Sequence, residues 1–219
     1  MFPPRFAPIL QEMEPLAALF REAGHRLFLV GGSVRDLFLG DTDAGTDLSL
    51  IDFDATTTAT PDQIKKIVQP VADALWTQGE RFGTIGLKIG ERTYEITTHR
   101  AEAYSPDSRK PDVQFATDIE TDLSRRDFTI NAMALELTTD TPVLVDPFGG
   151  LADLMARVLR TPLSAEESFN DDPLRMLRAA RFISQLEVAP DPSITAAVTA
   201  MADRLTIVSA ERVRIEFDR

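Results

Sequence analysis

Two short stretches hold residue types that could do chemistry. The first, Gly31-Gly32-Ser33-Val34-Arg35-Asp36, follows an apolar run from Leu27 to Val30. Adjacent glycines after a strand let the backbone bend without a Cβ and come close to a ligand. Ser33 can cap a short helix behind them, whose N-terminal amides suit an anion, and Arg35 adds a fixed positive fork. The second stretch, Asp52-Phe53-Asp54, closes another apolar run. Carboxylates at i and i+2 on a strand share a face and repel unless cations sit between them, and hard oxygen ligands suit Mg²⁺. A phosphate-binding turn beside a carboxylate pair is the equipment for metal-assisted transfer from a nucleoside triphosphate.

The elements that must position these residues follow from periodicity. After a proline-punctuated arm over 1–10, Leu16, Leu19 and Phe20 predict a helix over 11–23. A strand over 26–30 leads into the glycine turn and a helix over 33–39, which Gly40 ends. Thr60-Pro61-Asp62 opens a helix over 61–75 with Ile64, Ile67, Val68, Val71 and Leu75 on its core face. Residues 82–89 and 92–98 read as a hairpin around Gly90-Glu91, in which Glu95 faces away from the apolar side formed by Tyr94 and Ile96. Trp76 and His99 read as packing residues. Residues 104–118 are polar and turn-rich, and a short helix, Arg125-Arg126-Asp127 and a strand over 128–137 come after them.

A strand over 143–145 ends at Asp146-Pro147-Phe148-Gly149-Gly150, which reads as a hinge. Beyond it the period switches to 3.6, with helices at 150–156, 164–169, 172–186, 193–202 and 209–218. Two domains result, an α/β one over 1–150 and a helical one over 151–219. Asn170 can cap the helix from 172, Asp171 and Asp172 complement its positive end, and Pro173 suits its first turn. Asp172 and Arg175, one turn apart, present acceptors and donors that could match the edge of a base.

Composition sets limits. The chain has no cysteine and two histidines, which excludes disulfides, zinc-thiolate sites and thiol catalysis and makes a multi-histidine site a poor fit. No apolar run approaches the ~20 residues that span a bilayer, and MFPPRFAPIL lacks a signal-peptide pattern, so a cytoplasmic location is expected. The net charge is −12; residues 1–150 carry 14 basic and 24 acidic side chains, and the remainder 9 and 11. A generic nucleic-acid binder shows a basic face instead, so weak RNA binding by this chain is expected.

GGSVRD with a following DxD strand resembles the head of the tRNA nucleotidyltransferase and bacterial poly(A) polymerase family, a branch of the polymerase-beta-like nucleotidyltransferases. Further blocks stand in the family's order: YEITTHR (94–100), RRDFTINAM (125–133), DPFGG (146–150), DDPLRMLRAARF (171–182) and SAERVRIEF (209–217). The resemblance implies an α/β (α+β) nucleotidyltransferase head with a mixed sheet, followed by an all-helical neck. It departs at DTDAGTDLSLI, where the family's first carboxylate follows the helix-ending glycine more closely. Asp47 keeps the usual distance from Gly40 but has Gly45 two residues before it; DFD at 52–54 keeps the pair and the run ATTTATPDQI behind it. The second alignment is preferred, with 41–50 a loop insertion.

By that resemblance, Asp52 and Asp54 hold one Mg²⁺, a second Mg²⁺ bridges the triphosphate, and Glu95 completes the acidic cluster. Gly31, Gly32, Arg35 and Arg126 hold the phosphates, Asp127 bonds the ribose hydroxyl, and Asp172 with Arg175 selects the base; Arg178, in the same block, is a further nucleotide-binding residue. The implied reaction is template-independent addition of C and A from CTP and ATP to the 3′ end of tRNA, with release of pyrophosphate. A poly(A) polymerase or a partial (A-only or CC-only) adder shares every block, and a non-catalytic RNA- or nucleotide-binding module with a degenerate site is the rival of another class. Relatives continue into helical domains that grip tRNA, so this chain is expected to be truncated within its neck.

Overall fold

The computed structural model describes residues 2–40, 53–103, 112–116 and 118–218. Asp52 and the expected insertion at 41–50 lie outside them, as do residues 104–111. The chain forms two compact units, one of Met1–Asp122 with Met133–Val145, the other of Leu123–Ala132 with Asp146–Arg219.

The first unit is built on a seven-stranded mixed sheet. Its strands are β1 (Leu27–Val30), β2 (Phe53–Thr57), β3 (Ala74–Trp76), β4 (Thr84–Ile89), β5 (Arg92–Thr98), β8 (Ala134–Glu136) and β9 (Val143–Val145), in the order β3-β4-β5-β2-β1-β8-β9. Among the described residues of this sheet, only β2 and β5 pair in parallel. β1 runs antiparallel to both neighbours, and all four of its residues are buried, as expected for an apolar run inside a sheet. A separate hairpin joins β6 (Arg100–Ala103) to β7 (Asp112–Phe115), so part of the segment expected to be irregular is strand.

Helix α1 (Ala7–Glu22) begins earlier than expected and takes in half of the supposed arm. Pro8 sits in its first turn, where a missing amide costs nothing, and Phe6 and Ile9 extend the buried stripe of Met13, Leu16, Ala17 and Phe20. Helix α2 (Gly32–Leu39) follows β1. Helix α3 (Pro61–Val68) opens with a capping box in which Thr60 and Gln63 satisfy each other's amides. It stops seven residues short of expectation, because Pro70 has no N–H to continue the ladder. Ile64 and Val68 are buried, whereas Leu75 sits 39 % exposed on β3. The strand expected at 128–137 shrinks to β8, since Thr129–Asn131 forms a 3₁₀ turn whose Thr129 amide donates to the Arg160 carbonyl at 2.8 Å.

Helix α4 (Ile119–Ser124) leads into the second unit. That unit contains α5 (Gly150–Ala156), α6 (Ala165–Asp171), α7 (Leu174–Leu186), α8 (Pro192–Met201) and α9 (Ala210–Phe217), with a two-residue parallel bridge between β10 (Val158–Leu159) and β11 (Ala189–Pro190). Asp146 caps α5 through both oxygens, accepting from Gly150 N at 2.6 Å and Leu151 N at 2.9 Å. Asn170 is not the cap of α7. It lies inside α6, whose C-cap is Asp172, extended at φ −142°; Pro173 stands at the N-cap of α7, and Asp172 accepts from Leu174 N at 3.2 Å. Among the described residues no helix is long and apolar enough to cross a membrane.

Candidate active site

In the first unit the sheet sorts its side chains by face. Phe53, Ala55, Tyr94 and Ile96 are buried to 3 % exposure or less, while Asp54 and Glu95, between them, are exposed. The parallel register sets Asp54 directly opposite Glu95. Neighbouring strands lie about 4.8 Å apart, so two carboxylates leave the same face side by side. On the other side of β2, Leu29 opposes Ala55, and β1 ends one residue later at Val30, where the glycine turn begins.

That turn has a backbone only glycine adopts readily. Gly31 has φ 73° and ψ −138°, and it, rather than Ser33, is the N-cap of α2; Ser33 is buried inside the first turn. The Gly31 carbonyl accepts from Val34 N and Arg35 N at 3.1 and 3.2 Å, which closes the first turn of the helix. The first amides of such a helix have no intrahelical acceptor and face outward. Arg35 forks onto Asp36 at 2.7 and 3.0 Å, its side chain only 12 % exposed. A Cβ on Gly32 would lie 3.4 Å from the Arg35 Nη2, so the missing side chain leaves room for the guanidinium.

The two-carboxylate face fits a hard divalent cation. Asp54 and Glu95 supply oxygen ligands alone, and their mutual repulsion is relieved by a cation. Among the described residues no three His, Cys, Asp or Glu side chains gather as a metal site, and Asp52, assigned with Asp54 to the metal, lies outside those residues. His99, read as packing, is buried with Nδ1 2.8 Å from Thr56 Oγ1.

The second unit holds the remaining candidates, with Asp127 and Arg178 in one group of contacts and Asp172 and Arg175 in another. Asp127 is buried and accepts four hydrogen bonds: from Phe128 N at 2.8 Å and Asn131 Nδ2 at 3.0 Å on one oxygen, and from Arg178 Nε at 2.9 Å and Nη2 at 2.6 Å on the other. A ribose hydroxyl would have to replace one of these donors. Burial raises the Asp127 carboxyl, but the Arg178 charge and these hydrogen bonds outweigh it and hold the group below the ordinary carboxylate range. Arg178 is raised in turn: burial pulls it down, and the charges of Asp127, Glu216 and Asp172 override that.

Arg175 donates to Ser168 Oγ at 2.9 Å and to the Arg125 carbonyl at 2.6 Å. Asp172 accepts from both terminal nitrogens of Arg212, at 3.3 and 2.8 Å. Arg126 is partly buried, and its amide donates to the Leu123 carbonyl at 3.2 Å. Sequence reasoning missed Ser168, Asn131, Arg212 and Glu216 as supports. Arg212 and Glu216 carried a signal, an i,i+4 pair on one side of α9, and both turn toward α7 to meet Asp172, Arg178 and Arg181. Ser168 carried none.

A mixed sheet that exposes paired carboxylates next to a glycine-initiated helix, in a chain that goes on into a helical unit, defines a nucleotidyltransferase head with its neck. The chain belongs to the family described as the poly A polymerase head domain, which matches residues 27–160. Its relatives include the CCA-adding enzyme of Bacillus subtilis (strain 168), 42 % identical over 206 residues, 94 % of this chain and 48 % of that protein. The CCA-adding enzyme of Lactobacillus johnsonii (strain CNCM I-12250 / La1 / NCC 533) is 38 % identical over 96 % of this chain and 48 % of that protein. Among solved structures, the Bacillus stearothermophilus CCA-adding enzyme in complex with CTP superposes with a TM-score of 0.78 at 33 % identity, covering 98 % of this chain and 48 % of that one. The Thermotoga maritima CCA-adding enzyme complexed with tRNA gives 0.77 at 29 %, covering 95 % and 46 %. The chain thus spans about half the length of the curated relatives it matches.

Proposed function

We propose that this chain is the catalytic head and nucleotide-selecting neck of a CCA-adding tRNA nucleotidyltransferase, with domains over 1–150 and 151–219. The observation that carries the reading is the direct register of Asp54 and Glu95 on one exposed face, next to the strand that ends at the glycine turn of α2. The relatives named CCA-adding enzymes, and structural neighbours bound to CTP, ATP and tRNA, support the same assignment.

In this reading Asp54, with Asp52 and Glu95, would hold two Mg²⁺ ions. Bound there, the ions supply a lowered pKa for the attacking 3′-hydroxyl and charge stabilisation for the departing pyrophosphate. Gly31 and Gly32 give the triphosphate close access to backbone amides, and Arg35 and Arg126 bring positive charge to it. Asp127 locks Arg178 and, by exchanging a donor, accepts the ribose hydroxyl. Asp172 and Arg175 read the base edge and accept C and A without a template. The substrates are CTP, ATP and the tRNA acceptor end, and the setting is cytoplasmic.

Incubation of the chain with Mg²⁺, a tRNA ending before CCA and labelled CTP or ATP tests this. Slow incorporation of CTP and then of ATP is expected, since the acidic chain holds tRNA weakly, and Asp54→Ala or Glu95→Ala lowers it by about 100-fold or more, the loss typical of removing one charge-stabilising group. Incorporation of ATP alone would make the protein a poly(A) polymerase or A-adder. Turnover that survives Asp54→Ala would remove the carboxylate assignment altogether.

A further inference from the structure

We propose that Ser168 is a positioning residue that sets the Asp172–Arg175 pair for reading the nucleotide base, an inference that rests on the base-reading role given to that pair above. Ser168 lies in α6, outside the helix that carries Arg175, and is 5 % exposed. Its hydroxyl accepts from Arg175 Nη1 at 2.9 Å. Its carbonyl accepts from the same nitrogen at 3.4 Å and from the Asp172 amide at 3.2 Å. One residue therefore holds the backbone of the acid and the side chain of the base. The Arg125 carbonyl, 2.6 Å from Arg175 Nη2, holds the other arm of the guanidinium.

The physical effect is preorganisation. An arginine has five N–H donors on a rigid plane at the end of a flexible stem. Acceptors on both arms fix the plane, so the N–H groups left over point in one direction before any ligand arrives. Without the serine hydroxyl, Arg175 Nη1 keeps only its longer 3.4 Å contact to the Ser168 carbonyl, so the guanidinium samples further rotamers and the order must then be imposed when the base binds. The loss falls on discrimination between bases, because a swinging fork still offers positive charge to any nucleotide. It no longer offers a set pattern of donors. CTP and UTP make the sharpest comparison, since they share ribose and triphosphate and differ in the donor and acceptor pattern of the pyrimidine edge.

Equilibrium binding of CTP and UTP in Mg²⁺ to the parent chain, Ser168→Ala, Arg175→Ala and the double variant decides the matter. The expected result is a preference for CTP over UTP that falls about 10-fold in Ser168→Ala, the scale of one hydrogen bond to a charged group. UTP affinity should hardly change. Arg175→Ala should erase the preference, and adding Ser168→Ala to it should change nothing more. If Ser168→Ala keeps the parent preference while Arg175→Ala loses it, the serine has no positioning role. Equal weakening of CTP and UTP, or a further loss in the double variant, overturns the inference too, since either would mean an effect on folding or on another group. A parent chain that does not distinguish CTP from UTP, or an Arg175→Ala variant that still does, refutes base reading by Arg175 itself, and the inference falls with it.

Discussion

Four donors converge on the Asp127 carboxylate, two of them from the single guanidinium of Arg178. Removing the carboxylate leaves the Arg178 charge only its longer 3.6 Å contact to Glu216, so Asp127→Asn should cost about 3 kcal/mol of stability. The pH dependence has a definite sign. A carboxyl held below its ordinary value adds stability above its unfolded pKa, about 3.9, and loses it as pH falls through the lower folded value. Denaturant midpoints measured from pH 7 downward should therefore fall in acid for the parent and fall less steeply for Asp127→Asn. An equally steep acid limb in both would mean that Asp127 is not the group concerned. The types of the candidate residues were legible in the sequence: Asp127, Asp172, Arg175 and Arg178 all take part in polar contacts of the second unit. Which of them contact one another was not, because ion pairs such as Arg178 with Asp127 join residues 51 apart in the chain.

Among the elements, the mixed sheet does most of the positioning. The hairpin of β4 and β5 and the outward direction of Glu95 could be read from alternation, since period-2 patterning states which face is buried. That β5 lies parallel to β2, which sets Glu95 opposite Asp54, could not, because nothing local in either strand encodes its partner. Similarly, the end of α3 at Val68 was hidden by an apolar period that continues to Leu75 on a different element. Trp76, Gly86, Glu95 and Asp54 form one row across β3, β4, β5 and β2. In that row Gly86 has no room to grow: a Cβ would stand 1.8 Å from Trp76 Nε1. Gly86→Ala must displace the indole at a cost of about 2 kcal/mol, seen as a thermal midpoint about 5 °C lower. An unchanged midpoint would show that the indole is not packed on this strand.

For the whole molecule, charge decides what the chain can grip. At −12, with its acidic excess mostly in residues 1–150, its charge balance is the reverse of the one that drives RNA binding through counterion release. It is expected to bind Mg-CTP or Mg-ATP yet to hold and extend tRNA poorly on its own. Filter binding of tRNA at about 0.15 M salt should show weak retention, with a shallow salt slope that reflects few phosphate contacts. Tight retention, or efficient extension, would contradict this. That expectation rests on composition alone, whereas the order of the seven strands depends on long-range pairing that no local stretch of sequence encodes.

Trp76 is the one tryptophan in 219 residues, and its strand neighbours place it in line with both carboxylates. Indole emission from this protein thus comes from a single known point on the sheet, with no background to subtract. The proposed loading of that face by metal and triphosphate would then be an optical titration that needs neither a label nor turnover.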